Sequence, residues 1–538
     1  MIKKILLLPL LLFVTVLSAQ QRDALVYFKD KDNVAAGIAN PGTILSQEAV
    51  YRKALHNIPI DERDVPLNEA YKTTVSNQPG ITVLAKSKWL NAVYVRGAVK
   101  SIQALLNLSF VADIEFMDAS LNRPFQPLKT YDKFNLEKTL TKYNYGNALN
   151  QTTMIAVDVL HDHNYKGDGI TVAFMDNGYP NVLINRAFAE MRQNNRLLGY
   201  YDFVNRTVDY NGSGSHGAHT LSTAAAFLDG EFVGTAPEAS YYLFITEDGS
   251  QESPVEEAWW VEALERADSL GVFVTNTSLG YLSFDVPQYN YQYSDLDGQT
   301  TLSARGANIA FEKGMINVVS AGNEGSQFGY ITTPADALGA FTVGAVDEFG
   351  NRAWFSSHGP SYDGRVKPDV MAQGEFAAIV DKDGNFNYSN GTSFSGPIIA
   401  GAIASLWEVA PHLKNDVIMQ VVRESADLYN NPTAQMGYGI PNFADALTQV
   451  QILNTEEHLR KELFAIYPNP VTDYFNISFP ESISKATVSI YNILGQKLLE
   501  KEITQTGNKV RIEHLNSGVY LISIHAENKT TGFKIIKQ

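Results

Sequence analysis

The sequence predicts an α/β protein with a parallel sheet that has helices on both faces, preceded by a small α+β domain and followed by a small all-β sandwich. In the middle of the chain, helical and strand patterns alternate over residues 258–270, 271–276, 303–313 and 315–320. Such alternation is typical of βαβ units, whose strands are parallel. The C-terminal region instead shows short alternating strands, as in a β-sandwich.

Composition indicates a globular protein of several domains. Of the 538 residues, 45% are hydrophobic and 19% are charged. The formal net charge of −16 argues against nucleic acid or an anionic membrane as the main partner, because either would favour a basic surface. The chain has no cysteine, which excludes cysteine catalysis, thiolate metal sites and disulfides.

Residues 1–19 have the pattern of a secretory signal peptide. Lys3 and Lys4 precede the apolar run 5–17, and Ala19 is a small residue suited to cleavage. The apolar run is too short to span a bilayer comfortably, and no later run approaches the ~20 residues needed. We therefore expect an exported protein without an integral membrane segment.

Residues 20–145 show no cluster of catalytic residue types. The patterns predict a small α+β domain, with strands at 23–29, 90–97 and 111–116 and a helix at 99–108. The polar stretch 123–145 follows as an exposed linker, where proteolytic maturation would cut.

The loop Gly391–Pro397 leads into an apolar run of small residues, 398–407, which predicts a buried helix. Ser393 therefore lies at a helix N-terminus. Free backbone N–H groups and the positive end of the helix dipole gather there, so the position suits a nucleophile whose attack generates an oxyanion. Pro397 fits a first helical turn. Taken alone, such a loop is more often just an ordinary capped helix start.

Three further stretches add polar groups of complementary chemistry. Asp176 ends the apolar strand 172–176, His216 opens a helix of small residues, and Asn323 follows another apolar strand. Open α/β sheets place their sites at the carboxyl ends of strands, which is where Asp176 and Asn323 fall. The chain order is Asp176, His216, Asn323, Ser393.

These four stretches, in this order, resemble the subtilisin-like serine proteases (subtilases), and the resemblance covers about residues 146–450. The resemblance implies that Asp176 is the orienting acid and His216 the general base. It implies that Ser393 is the nucleophile and Asn323 the oxyanion-hole amide. The resemblance makes 146–452 the peptidase domain. Its function would be that of a secreted serine endopeptidase made as a zymogen.

The same resemblance covers substrate binding and the N-terminal domain. It implies that Ser278, Leu279 and Gly280 bind an extended polypeptide substrate by strand addition. It also implies that 20–145 holds a propeptide, which assists folding and inhibits the enzyme until it is cut away. An ordinary accessory domain is the alternative for this region.

Several features leave alternatives open. His219 competes with His216 as the base, Asp168 with Asp176 as the acid, and Ser395 with Ser393, while Asn323 could merely cap a turn. The sequence departs from the commonest motifs of the family at Asn177, Ala218 and 394–396. These departures remove no catalytic group, but they leave open the subgroup of the family and the shape of the substrate pocket.

Two other functions compete with a peptidase, one within the hydrolases and one from a different class. An α/β-hydrolase esterase needs G-x-S-x-G and the order Ser, Asp, His, neither of which Ser393 satisfies. A catalytically inactive cell-surface binding protein on a subtilase scaffold remains the alternative function.

Two acidic loops hint at calcium without a full motif. Asp295–Gly298 and Asp381–Asn385 both lack the further acidic ligands and the bidentate Glu of a calcium loop, and the second suits a hairpin turn. We therefore predict no metal site and no cofactor, and leave a structural calcium ion open.

The last 75 residues differ in character from the rest. After a charged linker or short helix at 453–463, strand patterns over 464–538 predict the small sandwich. The segments Tyr467–Pro470, Tyr491–Gln496 and Leu515–Tyr520 resemble motifs of the C-terminal sorting domain of the bacterial type IX secretion system. This resemblance implies export through the periplasm of a Gram-negative bacterium, with the secretion machinery as a partner and a secreted or cell-surface destination. A carbohydrate-binding or adhesive sandwich is the alternative.

Overall fold

The computed structural model describes residues 21–121, 144–325, 328–461, 464–480, 483–526 and 529–538. The predicted signal peptide and most of the predicted linker at 123–145 lie outside the described residues. The described residues form two compact units, which are divided between Leu447 and Thr448.

The N-terminal domain is an antiparallel four-stranded sheet with the strand order β2-β3-β1-β4. Its elements are β1 (Gln21–Phe28), α1 (Val34–Ala39), α2 (Gln47–Leu55), α3 (Glu69–Ser76), β2 (Ile81–Ser87), β3 (Ala92–Ala98), α4 (Val99–Ala104) and β4 (Val111–Phe116). This confirms the small α+β domain that the sequence predicts.

The following region is built on a seven-stranded sheet in the order β13-β12-β11-β10-β5-β9-β6, in which every neighbouring pair is parallel. Its elements are α5 (Leu149–Thr153), α6 (Val157–Asp162), β5 (Thr171–Asp176), α7 (Ala189–Gln193), β6 (Leu197–Asp202), α8 (His216–Ala225), β7 (Phe227–Leu228), β8 (Phe232–Val233), β9 (Ser240–Ile245), α9 (Val255–Ser269), β10 (Val274–Thr277), α10 (Leu302–Glu312), β11 (Ile316–Ser320), β12 (Ala340–Val346), β13 (Val370–Gln373), β14 (Ala377–Val380), β15 (Phe386–Ser389), α11 (Thr392–Trp407), α12 (Asn415–Glu424) and α13 (Phe443–Lys461). The predicted fold class is confirmed.

Burial explains why these strands have continuous apolar runs. All residues of β11 and β12 are buried, as expected for a parallel sheet covered on both faces. Helix α11 is buried along its whole length, in agreement with its small-residue sequence. At Gly401 a Cβ would lie 2.1 Å from Thr235 Oγ1, so this helix packs too closely for any larger residue there.

Two predicted elements differ in detail. The single helix expected over 151–161 is split into α5 and α6, because Ala156 adopts a left-handed conformation with φ 55°. The segment 453–463, which the sequence predicts as a linker or short helix, is helical as far as Lys461, where α13 ends.

The N-terminal sheet packs on helices α9 and α10. Leu25, Trp89 and Tyr94 share one buried cluster with Ala258 and Leu302. The indole N–H of Trp259 on α9 also donates to the Leu84 carbonyl oxygen at 3.2 Å. The two domains therefore share one apolar core.

The C-terminal unit contains a three-stranded sheet, β16-β17-β20, and a four-stranded sheet, β19-β18-β21-β22. Its strands are β16 (Ala465–Tyr467), β17 (Tyr474–Ser478), β18 (Lys485–Tyr491), β19 (Lys497–Thr504), β20 (Lys509–Arg511), β21 (Gly518–Ala526) and β22 (Lys529–Lys537). Residues from both sheets, among them Phe475 and Ile490, form one core. Among the described residues, no helix is long and apolar enough to cross a membrane.

Glu408 anchors the loop that leads to strand β5. Its carboxylate accepts hydrogen bonds from the backbone N–H groups of Lys166, Gly167 and Asp168 at 2.7, 2.7 and 3.0 Å. We expect Glu408→Ala to lower the free energy of unfolding by about 1–3 kcal/mol, because these donors lose their acceptor. Chemical denaturation measures this. Glu408→Gln keeps an acceptor oxygen and should lose less; equal losses would contradict the assignment.

Candidate active site

Asp176 is the last residue of β5 and its carboxylate is held by several donors. The side chain is 1% exposed, and Oδ1 accepts from the Asn177 backbone N–H at 2.8 Å. Oδ2 accepts from the Thr220 hydroxyl at 3.3 Å. A buried carboxylate needs such donors, and here they also fix its orientation.

His216, the first residue of α8, completes this set of donors. Its Nδ1 lies 2.9 and 3.0 Å from the two carboxylate oxygens of Asp176. An ionised carboxylate only accepts, so Nδ1 donates, and in the neutral ring Nε2 is then the unprotonated nitrogen. The side chain of His216 is 35% exposed, so its outer edge is accessible to a substrate.

Gly217 allows His216 and Asp176 to approach so closely. A Cβ at this position would lie 2.6 Å from the Gly178 carbonyl oxygen and 2.8 Å from Asp176 Cβ. No side chain fits there without moving α8 away from β5.

Ser393 is the second residue of α11, whose N-cap is Gly391. Its hydroxyl donates to the Ser278 carbonyl oxygen at 3.1 Å, which is a different partner from the imidazole of His216. The ring of the next residue, Phe394, has its centroid 5.8 Å from that of His216. The hydroxyl is therefore held on a backbone acceptor, while the ring of the next residue lies beside the imidazole.

Pro397 has a different place from the one predicted. Since α11 begins at Thr392, Pro397 is its sixth residue, beyond the first turn. Proline has no N–H, so the carbonyl of Ser393, four residues earlier, loses its intrahelical donor. The Ser278 hydroxyl donates to that carbonyl at 2.8 Å instead. Ser278 and Ser393 thus exchange a pair of hydrogen bonds.

Asn323 follows β11 and faces the same helix start. Its Oδ1 accepts from the Thr392 backbone N–H at 2.9 Å and from the Thr392 hydroxyl at 3.0 Å. Because both Thr392 groups donate, the amide atom that faces them must be the oxygen, and Nδ2 points away from Thr392. A Cβ at Gly391 would lie 3.6 Å from both Asn323 Nδ2 and the Ser393 backbone nitrogen, so the two nitrogens border one space.

The segment predicted to bind substrate lies directly after β10, but its three residues differ in accessibility. Ser278 is buried beneath Ser393, Leu279 is half-buried, and Gly280 is exposed. A Cβ at Gly280 would lie 2.1 Å from Thr332 Oγ1, which explains the glycine. No pattern in the sequence indicates that Ser278 contacts helix α11 rather than solvent.

The rival residues have other environments. Ser395 donates to the Thr392 carbonyl oxygen at 3.1 Å, and Asp168 lies in an exposed turn 3.6 Å from Arg196. Burial and the neighbouring His216 lower the pKa of His219. Thr220 and Thr392, which orient Asp176 and Asn323, were assigned no role from sequence.

The acidic loops that hinted at calcium use their carboxylates locally. Asp297 accepts from the backbone N–H groups of Gln299 and Thr300, and Asp381 accepts from those of Asp383 and Asn385. Strands β14 and β15 pair antiparallel around the second loop, as the hairpin prediction requires. Within the described part of the chain, no group of three or more His, Asp or Glu side chains is arranged to hold a metal ion.

Asp176 also sets the electrostatics of the site. Burial alone would lower the pKa of His216, but the charge and hydrogen bond of Asp176 outweigh it and raise this pKa above its ordinary value. The imidazole is therefore a stronger base than in an isolated histidine.

A parallel sheet with an acid, an imidazole and a hydroxyl near its carboxyl edge defines an α/β protein with a serine-centred site. Residues 167–439 match the model of the subtilase family, Peptidase S8, and the chain belongs to this family. Residues 23–133 match the Peptidase S8 propeptide domain of Bacteroidota. Residues 465–538 match a secretion system C-terminal sorting domain, which indicates a secreted or cell-surface protein of a Gram-negative bacterium, as predicted.

Individual relatives are distant. Serine protease AprX of Bacillus subtilis (strain 168) is 27% identical over 295 residues, 49% of this chain and 63% of that protein. Subtilisin E of the same organism is 29% identical over 283 residues, 52% and 66% of the two chains. The thermophilic serine proteinase of Bacillus sp. (strain AK1) is 26% identical over 392 residues, 72% and 84%. The chain spans just under two thirds of the length of AprX and subtilisin E.

Two histidines of helix α8 provide an internal test of this electrostatic account. We expect the pKa of His216 to lie above the ordinary ~6.5 and that of His219 below it. Asp176→Asn removes the negative charge while burial remains, so the pKa of His216 should fall. Histidine-selective NMR titration measures both residues in one sample. A His216 pKa unchanged in Asp176→Asn, or below that of His219, would contradict the account.

Proposed function

We propose that the protein is a secreted serine endopeptidase in which Asp176, His216 and Ser393 form the triad. The observation that carries the proposal is the 2.9 Å contact of Asp176 with His216 Nδ1, which leaves Nε2 available as the base. Ser393 lies at a helix N-terminus, and the ring of the next residue, Phe394, has its centroid 5.8 Å from that of His216. A serine hydroxyl is a poor nucleophile without such a base.

In this mechanism the hydroxyl of Ser393 turns from the Ser278 carbonyl to His216 Nε2. The oxygen attacks the carbonyl carbon of the scissile peptide while the imidazole takes its proton, and Asp176 stabilises the imidazolium. The imidazolium then gives the proton to the leaving amine. Water attacks the acyl-enzyme with His216 again as the base, which releases the acid and restores Ser393.

The tetrahedral oxyanion would occupy the space between Asn323 Nδ2 and the Ser393 backbone N–H. Both nitrogens lie 3.6 Å from the position that a Cβ at Gly391 would take, which is in that space. The amide of Asn323 is already fixed by its hydrogen bond from Thr392. Donors that are oriented before the reaction stabilise developing charge without reorganisation. The positive end of the α11 dipole adds to the same effect.

Polypeptide substrates would bind in extended form along Ser278, Leu279 and Gly280. The segment continues a strand of the sheet, and Gly280 at its end is exposed. Backbone hydrogen bonds would hold the peptide, with side-chain pockets on alternate residues.

We also propose that the protein is made as a zymogen. The N-terminal domain ends beside the substrate-binding segment, because Met117 and Leu279 pack against the same cluster of Tyr281, Phe284 and Tyr289. Cleavage within 122–145 would free the domain from the peptidase chain. The C-terminal unit would be the part that the secretion machinery recognises.

Ser393→Ala should abolish cleavage of a protein substrate by the secreted, processed enzyme while thermal melting stays unchanged.

Asn323→Ala should lower kcat by about 10²–10³ with little change in KM, because the donor acts only on the oxyanion. Ser395→Ala is the matched control, since it removes a neighbouring hydroxyl that donates only to Thr392, and should keep most activity.

Full cleavage by folded Ser393→Ala would overturn the assignment. No cleavage by the processed wild-type protein would favour the inactive binding protein.

A further inference from the structure

The turn that joins β18 to β19 in the C-terminal unit presents two apolar side chains to solvent. Ile493 is 72% exposed and Leu494 is 80% exposed, although both lie in one of the segments that resemble sorting-domain motifs. Side chains that stay this exposed add little to the stability of a fold, because folding removes little of their surface from water. Their place in the motif therefore has a reason other than folding.

The polar residues of the same segment account for the shape of the turn. Asn492 Oδ1 accepts hydrogen bonds from the backbone N–H groups of Leu494 and Gln496, both at 3.0 Å. Its Nδ2 donates to Gln496 Oε1 at 2.8 Å. Gly495 supplies the left-handed conformation, with φ 79°. The turn is thus fixed by its own side chains, and it holds Ile493 and Leu494 at its tip.

The other two motif segments also use polar groups to hold the fold. Asn469 Nδ2 donates to the Lys534 carbonyl oxygen and Oδ1 accepts from the Ile536 backbone N–H, both at 2.9 Å, so this amide covers part of the edge strand β22. The Tyr520 hydroxyl donates to the Asn516 carbonyl oxygen at 2.8 Å. The fold therefore explains these polar residues, but it does not explain the exposed apolar ones.

Three more exposed apolar side chains lie at the same end of the four-stranded sheet. They are Val519 and Leu521 on β21 and Ile536 on β22. Val519 is opposite Ile536, and Leu521 is opposite Tyr491, the last strand residue before the turn. Because Tyr520 between them is buried in the core, Val519 and Leu521 point to the outer face.

These five residues, here called the end surface, are Ile493, Leu494, Val519, Leu521 and Ile536. Single exposed apolar residues are ordinary on any protein, whereas a group of them marks an interaction site. Two of the three motif segments contribute to the end surface. Since this unit matches a secretion system sorting domain, the partner that its motifs would serve is the secretion machinery.

The end surface is also bordered by positive charge. Lys534 lies opposite Leu521 and two residues before Ile536, so it shares the outer face of β22. Residues 464–538 contain eight Lys and Arg against six Asp and Glu, although the whole chain has a formal net charge of −16. A complementary partner therefore offers an apolar pocket with carboxylates at its rim.

We propose that the end surface is where the secretion machinery binds the C-terminal unit. Ile493 and Leu494 enter an apolar pocket of one of its proteins, and Lys534 meets carboxylates at the rim. Because Asn492 already fixes the turn, little conformational freedom is lost on binding. The inference rests on the proposed recognition of this unit by the machinery, and it adds the residues that make the contact.

The test is export of the full chain, carrying Ser393→Ala throughout, from a Gram-negative bacterium whose type IX secretion system exports this chain. Cell fractionation and immunoblotting measure the exported fraction. Ile493→Ser combined with Leu494→Ser should lower this fraction about tenfold or more and leave the protein in the periplasm, because two apolar anchors are lost. Ile493→Leu combined with Leu494→Ile keeps the apolar tip and should retain most export.

The matched control is Tyr474→Ser, which removes an exposed ring from β17 of the other sheet and should leave export unchanged. Normal export of the double serine variant, or an equal loss for Tyr474→Ser, would overturn the proposal. If the double serine variant loses hydrogen-exchange protection in β18 and β21 of the purified full chain, Leu521→Lys replaces it with the same expected loss of export.

Deletion of residues 464–538 separates this proposal from the one on which it rests. Normal export of the deleted chain would overturn recognition of the C-terminal unit altogether. Blocked export of the deleted chain, together with normal export of the double serine variant, would overturn the end surface alone. Since Ser393→Ala is present throughout, neither result depends on whether the protein cleaves peptides.

Discussion

The first turn of helix α11 is fixed to the carboxyl ends of two strands, and the arrangement of the site depends on this attachment. The hydroxyl of Ser278, after β10, donates to the Ser393 carbonyl, and the hydroxyl of Ser320, at the end of β11, donates to the Thr392 carbonyl at 2.8 Å. Asn323 then receives the Thr392 N–H. These bonds position the helix start relative to the sheet, so the donors around Ser393 are oriented before any substrate arrives.

The buried charge of Asp176 adds an electrostatic contribution to this prearranged geometry. Asp176 is buried and held by donors from β5 and α8, whereas the imidazole that it orients is partly open to solvent. A buried charge acts strongly on its neighbour, because little water screens it. The carboxylate can therefore raise the pKa of His216 while it stays buried itself.

The sequence predicted most of the fold and the elements on which the candidate residues lie, because strand ends and helix starts have local signals. Asp176 and Asn323 follow apolar strands, and Ser393 precedes an apolar helix. The contact of Ser278 with Ser393 had no such signal, since it joins segments 115 residues apart. The break at Ala156 is also invisible in the pattern, because a left-handed alanine is set by tertiary packing rather than by propensity.

The contacts of the N-terminal domain with the ends of helices α9, α10 and α11 were missed for a related reason. Arg52, Lys53 and His56 are polar residues that sequence patterns assign to a solvent-facing surface, yet all three are buried. Their burial requires Asp268, Lys313 and Trp407, which are more than 200 positions away. Only the assembled structure brings these complementary groups together.

The most direct test of the central claim is intact-mass analysis of the secreted, processed protein after reaction with a fluorophosphonate, which phosphonylates an activated serine with loss of fluoride. The account predicts one adduct, mapped to Ser393 and absent in Ser393→Ala. Folded, processed protein that gains no adduct, or gains one at another serine, would contradict it.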